Sequence, residues 1–305
     1  EGSPDGFCRT DIKGTRRTMT GKLATSRDIL RPFRAKGIVD RAYPWEYPEF
    51  LCLEMRPKES RYCVLIPVIN EGERIRNQLR WMRDLELGLD VIIADGGSTD
   101  GSLDPELLAE TGVSALLVKA GPGRLSAQLR MGFAYALDRG YDGVIAVDGN
   151  GKDGLDAIPR FADRLLEGYD FVQGSRYVKG GIAINTPLDR TLAVRLIHAP
   201  LISLAAGFWY TDTTNGFRAF SAKLLRDPQV ALFRDVFANY NLHYYLAIRA
   251  ARLGFRVCEV PVLRVYPEKA KTPTKISGLR GRLLILKELV LSVIGAYNPR
   301  SGANR

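Results

Sequence analysis

The alternation of apolar and polar positions changes character near residue 62. Before it, segments such as RPFRAKG and YPWEYPEF break any sustained period, so residues 1–60 read as an irregular extension packed on or flanking the main domain. From Tyr62 the run YCVLIPVI is continuously aliphatic and β-branched, as expected of a strand buried on both faces of a parallel sheet. A helical period at Ile75, Leu79 and Met82 follows, then the apolar runs VIIAD (91–95), SALLVKA (114–120) and GVIAVD (143–148), with a helix predicted over 125–138. Strands alternating with helices predict right-handed βαβ units, hence an α/β fold with a mostly parallel central sheet flanked by helices. A helix at 154–167 and a strand at 170–176 extend the series. After Pro187 the order loosens into an apolar helical region at 190–209, a loop TDTTNGFRAFS, a helix near 239–253 and a strand FRVCEVPVL at 255–263.

Composition supports a globular chain: 305 residues, 46% hydrophobic and 26% charged. The net charge is +10, which invites nucleic acid, an anionic membrane or an acidic small molecule as partner. Its distribution decides among these. Residues 61–270 hold 25 basic and 24 acidic side chains, whereas residues 271–305 hold 7 and 1. A nearly neutral domain argues against nucleic acid, and no nucleic-acid partner is expected. The longest uncharged stretch, 196–211, has 16 residues and is broken by His198, Pro200 and Gly207, short of the roughly 20 needed to span a bilayer. No secretory signal opens the sequence. The four cysteines lack CxxC spacing, with Cys63 and Cys258 inside apolar runs as buried free thiols, so a cytoplasmic setting is expected. Two histidines are too few for a histidine-rich zinc site.

Ligands of open parallel sheets bind beyond the carboxyl ends of the strands. The residues there are Asn70 and Glu71, then Asp95, Asp148 and Asn150, and Arg176. Asp95 opens a glycine-rich turn whose carboxylate suits a nucleobase N–H, although an Asx turn is an equal reading. Asp148 and Asn150, two residues apart, suit a hard divalent cation on a pyrophosphate, or again a turn. GPGRLS (121–126) reads as a plain loop more readily than as a phosphate site, and GSRYVKGG (174–181) offers Arg176 to a phosphate or carboxylate.

Six segments occur in a recognisable order: CVLIPVINEGERI, VIIADGGSTDGS, GVIAVDGN, DFVQGSRYVKGG, TDTTNGFRAFS and RLGFRVCEVPV. Together they resemble glycosyltransferase family 2, of the GT-A nucleotide-diphospho-sugar transferase fold, in its dolichyl-phosphate mannosyltransferase-like branch. The resemblance covers residues 61–270 and implies a catalytic domain there, followed by a basic tail at 271–305. It implies that Pro67, Asn70, Glu71 and Asp95 surround the donor nucleotide, a UDP- or GDP-sugar. It implies that Asp148, with Asn150, holds Mg²⁺ or Mn²⁺ on the donor diphosphate. Arg176 and Arg190 match basic positions near the acceptor phosphate, and Asp212, Asn215 and Arg218 match the loop between donor and acceptor. Two departures stand out. Asn150 and Lys152 replace an acid and a position that is often Gln, so metal binding is expected to be weaker, with Lys152 placed to neutralise the diphosphate itself. Gly96 replaces the second acid of the first acidic pair.

Members that glycosylate hydroxyls carry an acidic base where this chain reads ANYNLHYY (238–245), without a carboxylate. A phosphate acceptor is already ionised and needs no strong base, so inverting transfer to a polyprenyl phosphate or similar lipid is the expected reaction. Asp212 is the base if the acceptor is a saccharide or small-molecule hydroxyl, and a catalytically silent nucleotide-sugar-binding protein is the reading from another class. The tail SGLRGRLLILKELVLSVIGAY reads as a basic amphipathic helix on an anionic membrane surface, the inner face for a cytoplasmic protein. Packing on the domain or on a second copy, and so a homo-oligomer, is the alternative for this helix.

Overall fold

Each strand expected from an apolar run is present, and the computed structural model, which describes residues 31–32, 45–267 and 278–299, joins them into one nine-stranded sheet. The strands are β1 (Arg31–Pro32), β2 (Phe50–Glu54), β3 (Tyr62–Val68), β4 (Asp90–Asp95), β5 (Val113–Lys119), β6 (Gly143–Ala146), β7 (Phe171–Ser175), β8 (Ile182–Ile184), β9 (Arg218–Ser221), β10 (Val257–Pro261) and β11 (Leu263–Val265). The sheet order is β1-β2-β5-β4-β3-β6-β9-β7-β10, and β8 and β11 form a separate parallel pair. β5, β4, β3 and β6 are mutually parallel, as are β7 and β10. The helices are α1 (Glu73–Asp84), α2 (Pro105–Glu110), α3 (Leu125–Asp138), α4 (Ile158–Leu166), α5 (Leu188–Ala193), α6 (Ala199–Ala206), α7 (Ala222–Arg226), α8 (Asn241–Arg252) and α9 (Gly278–Val293).

Three features differ from the sequence reading. RAFS, expected in a loop, is β9, wedged antiparallel between β6 and β7. Four residues carry no readable period; what makes them a strand is the neighbourhood, where Phe220 meets Phe133 at 5.1 Å and Phe171 at 5.5 Å. The extension before residue 61 is not wholly irregular, since β2 pairs antiparallel with β5. The apolar region at 190–209 is split by a π-helical turn at Val194–His198, just before Pro200, whose missing N–H cannot continue an α-helical ladder. Cys63 is buried, Cys258 half-buried, and both are free thiols.

Alternation along β3 sends Cys63 and Leu65 to one face and Val64, Ile66 and Val68 to the other. α3 and α8 cover the first face, α1 and α4 the second. Close approach of α3 depends on Gly132, where a Cβ would lie 2.4 Å from Leu65 Cδ1 and 2.5 Å from Cδ2. Helix propensity favours alanine at such a site by about 1 kcal/mol. The overlap in a filled core is expected to outweigh that, so Gly132→Ala should lose about 1–2 kcal/mol net, read as a lower urea midpoint. An unchanged midpoint would contradict the close packing.

Candidate active site

Parallel strands end on one edge, and among the described residues that edge gathers Asp95, Lys152, Asp153, Arg176, Asp212, Arg218 and Arg264, all buried. Register pairs Val68 with Asp95 and Leu65 with Ala146, while antiparallel β9 begins on the same edge with Arg218 opposite both Ala146 and Gln173. Ser175 pairs with Pro261, which brings the segment after β10 to the same place.

Asp148 follows β6 and lies at the centre. Its Oδ2 accepts from Arg264 Nη2 at 2.9 Å and from Asn150 Nδ2 at 3.2 Å. Its carbonyl accepts from Gln78 Nε2 at 3.0 Å, and Gln78 Oε1 in turn accepts the Gly151 N–H at 3.0 Å, so a buried amide from α1 fixes the turn. The other nitrogen of Arg264, Nη1, donates to both oxygens of Asp153 at 2.7 and 2.8 Å and to Asn215 Oδ1 at 3.2 Å. One guanidinium thus ties together the loop after β6, the loop before β9, and β11. Gly216 completes the contact: a Cβ there would stand 2.4 Å from Asp148 Oδ1. Burial opposes ionisation of Asp148, but the Arg264 ion pair outweighs it and holds the carboxyl below its ordinary range.

Arg176 and Asp212 form a second, fully buried pair, Nε to Oδ2 at 2.6 Å and Nη2 to Oδ1 at 3.0 Å. Burial again opposes the charge on Asp212, and the Arg176 hydrogen bonds and charge again win, lowering its pKa. A carboxylate held so firmly is a weak proton acceptor. Glu259 of β10 takes the N–H groups of Thr211 and Asp212 and so positions this loop. Arg218 is wholly buried and donates to the carbonyls of Asn215 at 3.0 Å, Thr213 at 2.7 Å and His243 at 2.5 Å; burial pushes its pKa down to about 10. Burial and the Arg218 charge bring His243 down to about 3, so the imidazole is neutral.

The expected nucleotide-side residues also gather at this edge. Asp95 is buried, which raises its pKa, and both its oxygens accept from the Ser98 N–H, at 2.9 and 3.0 Å. Asn70, at φ 48°, gives its N–H to Ser98 Oγ and accepts the Thr99 N–H, so the ends of β3 and β4 are locked. Glu71 pairs with Arg74 at 2.7 Å, and Pro67 lies in β3 opposite Ala94. In GPGRLS the N–H groups of Arg124 and Ser126 are taken by the carbonyls of Ala238 and Asn239, which suits the plain-loop reading. Arg190 of α5 stands 5.7 Å, and Lys152 5.1 Å, from the centre of the Tyr266 ring. Burial raises the Tyr266 pKa, but Arg264, Arg176 and Arg190 together bring it below the ordinary value.

The expected metal ligands Asp148 and Asn150 are adjacent, yet their arrangement does not fit a divalent cation. Asn150 turns its NH₂ toward Asp148, its Oδ1 accepts the Lys152 N–H at 3.3 Å, and a guanidinium occupies the carboxylate. Among the described residues no group of three or more His, Cys, Asp or Glu is placed to hold a metal. Residues to which the sequence reading gave no role are Gln78, Asp153, Glu259, Arg264 and Tyr266; Glu259, in RLGFRVCEVPV, lay inside a segment already singled out, and Asp153 three residues past Asn150.

A mixed nine-stranded sheet flanked by helices, with an acidic turn after β6 and paired charges on the carboxyl edge, is the arrangement of the GT-A fold. Residues 63–227 match the family model described as glycosyl transferase family 2, and the chain belongs to that family. It is 31% identical over 220 residues to an undecaprenyl-phosphate mannosyltransferase of Micrococcus luteus, covering 72% of this chain and 88% of that one. It is 27% identical over 254 residues to a polyprenol monophosphomannose synthase of Mycolicibacterium smegmatis, covering 82% and 94%. The fold matches glucosyl-3-phosphoglycerate synthase from Mycobacterium tuberculosis, solved with Mn²⁺, UDP-glucose and phosphoglyceric acid, at a TM-score of 0.54 and 22% identity over 79% of this chain and 81% of that one. The protein is therefore a glycosyltransferase.

Asp212→Asn should leave Arg176 buried without its counter-charge and cost about 3–5 kcal/mol in chemical denaturation near neutral pH. The Asp212 pKa is lowered by folding, so its contribution is present above the unfolded value of about 4 and fades as pH falls through the folded one. The gap between wild type and variant should therefore narrow only below about pH 4; a gap that narrows near pH 6 would contradict the assignment.

Proposed function

We propose that the protein transfers a sugar, with inversion, from a nucleoside diphosphate to the phosphate of a polyprenyl lipid at an anionic membrane surface. The observation that carries this reading is an apolar face beside the charged edge. Leu188, Leu192 and Leu196 of the α5 region are 80%, 57% and 69% exposed, and Leu204 and Trp209 are 72% and 68% exposed. A run of large exposed side chains on successive turns marks an interaction surface. α9 adds Leu283, Leu286 and Val290, and Ile294 follows just after it, all exposed, while its Glu288 and Leu289 are buried on the domain. Arg282 of α9 pairs with Asp189 of α5 at 3.3 Å, which joins the two faces. Arg195 and Lys287 are exposed among these apolar groups, a charge pattern suited to anionic lipid, where each basic side chain contributes about 1 kcal/mol. Among the described residues no helix is long and apolar enough to cross a membrane. The polyprenyl-phosphate relatives support the same acceptor class.

The chemistry follows from the charges. An oxygen of the acceptor phosphate attacks the anomeric carbon as the bond to the donor diphosphate breaks, the electron pair leaving with the diphosphate oxygen. The acceptor is already ionised, so no proton has to move, and the protein's tasks are alignment and charge stabilisation. Arg190, on the same helix as the exposed leucines, is placed to receive the acceptor phosphate. The Arg176–Asp212 pair and Asn215 hold the loop between the two substrates, while the locked turn of Asp95 and Asn70 forms the nucleotide side. Asp148 fixes Arg264 against the diphosphate position.

Incubation with UDP- or GDP-hexoses and undecaprenyl phosphate in detergent micelles should yield a solvent-extractable glycolipid, and Asp148→Ala should lower its rate at least about a hundredfold. Product on water-soluble hydroxyl acceptors alone would sink the lipid assignment. Cosedimentation with phosphatidylglycerol vesicles should exceed that with neutral vesicles. The double change Leu192→Glu and Leu196→Glu should weaken it by about tenfold or more, because two carboxylates would enter the interface. Undiminished binding would remove α5 from the membrane contact.

A further inference from the structure

The geometry points to a built-in cation: Lys152 and Arg264 supply, from side chains, the positive charge that the donor diphosphate meets beside Asp148, in place of a divalent ion. This rests on the donor-site reading above. Asp153 spends both oxygens on Arg264 Nη1, at 2.7 and 2.8 Å, and is completely enclosed. Asp148 gives one oxygen to Arg264 Nη2 at 2.9 Å, and its neighbour Asn150 is neutral. A hard divalent ion wants about six oxygen ligands, several of them anionic. Here the nearest carboxylate is shared with a guanidinium, and a second positive centre on the same oxygens would be repelled at close range.

The charge count agrees. Asp148 and Asp153 are balanced by Arg264 and Lys152, and Arg190 adds a further positive charge at Tyr266, whose ring centre lies 5.1 Å from Lys152 Nζ, 5.7 Å from Arg190 Cζ and 5.9 Å from Arg264 Cζ. The site is therefore cationic before any ion is added. Lys152 is itself 6% exposed and emerges from the turn that Gln78 clamps, so its ammonium is carried by a fixed backbone. Arginine and lysine clamps on a leaving diphosphate perform the charge stabilisation that a metal otherwise performs. The two substitutions are then complementary: Asn150 removes a charge that would attract a metal, and Lys152 adds one that replaces it.

Calorimetric titration of the full chain with UDP and with GDP, once with excess EDTA and once with excess MnCl₂, tests the assignment. The nucleotide that binds should do so with dissociation constants within about threefold in the two conditions. Lys152→Gln should weaken binding in EDTA by about tenfold, equivalent to about 1.4 kcal/mol, and Lys152→Arg should restore most of it. The double variant Asn150→Asp, Lys152→Gln should regain affinity in MnCl₂ but not in EDTA. Wild-type binding that requires Mn²⁺, or a Lys152→Gln variant of unchanged affinity in EDTA, overturns the built-in cation alone. No binding of either nucleotide in any condition overturns the donor site together with it.

Discussion

A single buried guanidinium carries much of the architecture at the carboxyl edge of the sheet. Arg264 reaches Asp148 and Asp153 across 116 and 111 residues of sequence and contacts Asn215 as well. Taking a charge out of water costs several kcal/mol unless partners satisfy it, and removing one partner of such a cluster costs more than the pair contributes. The turn after β6, the loop before β9 and strand β11 are therefore obliged to stay together. Neighbouring features serve the same constraint: Gly216 lets the loop touch Asp148, Gln78 clamps the turn from below, and Glu259 gathers the N–H groups of Thr211 and Asp212.

The second buried pair, Arg176 with Asp212, divides the work. Its carboxylate is occupied from two directions and held ionised, which makes it a support for the loop before β9 and a poor proton acceptor. That suits an acceptor which arrives already charged. The apolar side chains of α5, α6 and α9 stand on the outside of the same region, so polar chemistry and an apolar surface meet at Arg190 and Arg195. Family 2 membership and the glycosyltransferase class do not depend on these details; the lipid acceptor and the source of charge at the diphosphate do.

Much of the fold was legible because strands buried on both faces leave uninterrupted apolar runs. β3, β4 and β5 could be read to within a residue or two for that reason. β9 could not, since Arg218–Ser221 is a strand only because β6 and β7 flank it. Asp148 and Asn150 were legible from their spacing after a strand, and Arg176 and Asp212 from the family pattern, although nothing local said that those two would neutralise each other. Arg264 was invisible: in VLRVYP it looks like an ordinary surface arginine, and its role exists only once β11 lies beside the turn of Asp153. Gln78 and Glu259 were hidden in the same way, as polar residues on a helix and a strand that bond to backbone far away in sequence.

The central claim is that side chains of this edge, anchored by Arg264, meet the donor diphosphate directly. Crystals grown with the bound nucleoside diphosphate and soaked in Mn²⁺ test it most directly, by anomalous scattering at the manganese edge. The account predicts diphosphate oxygens within hydrogen-bond distance of Lys152 Nζ, with Arg264 still on Asp148 and Asp153, and no anomalous peak between Asp148 and the phosphates. A manganese peak there, with Arg264 displaced from Asp148, would contradict it.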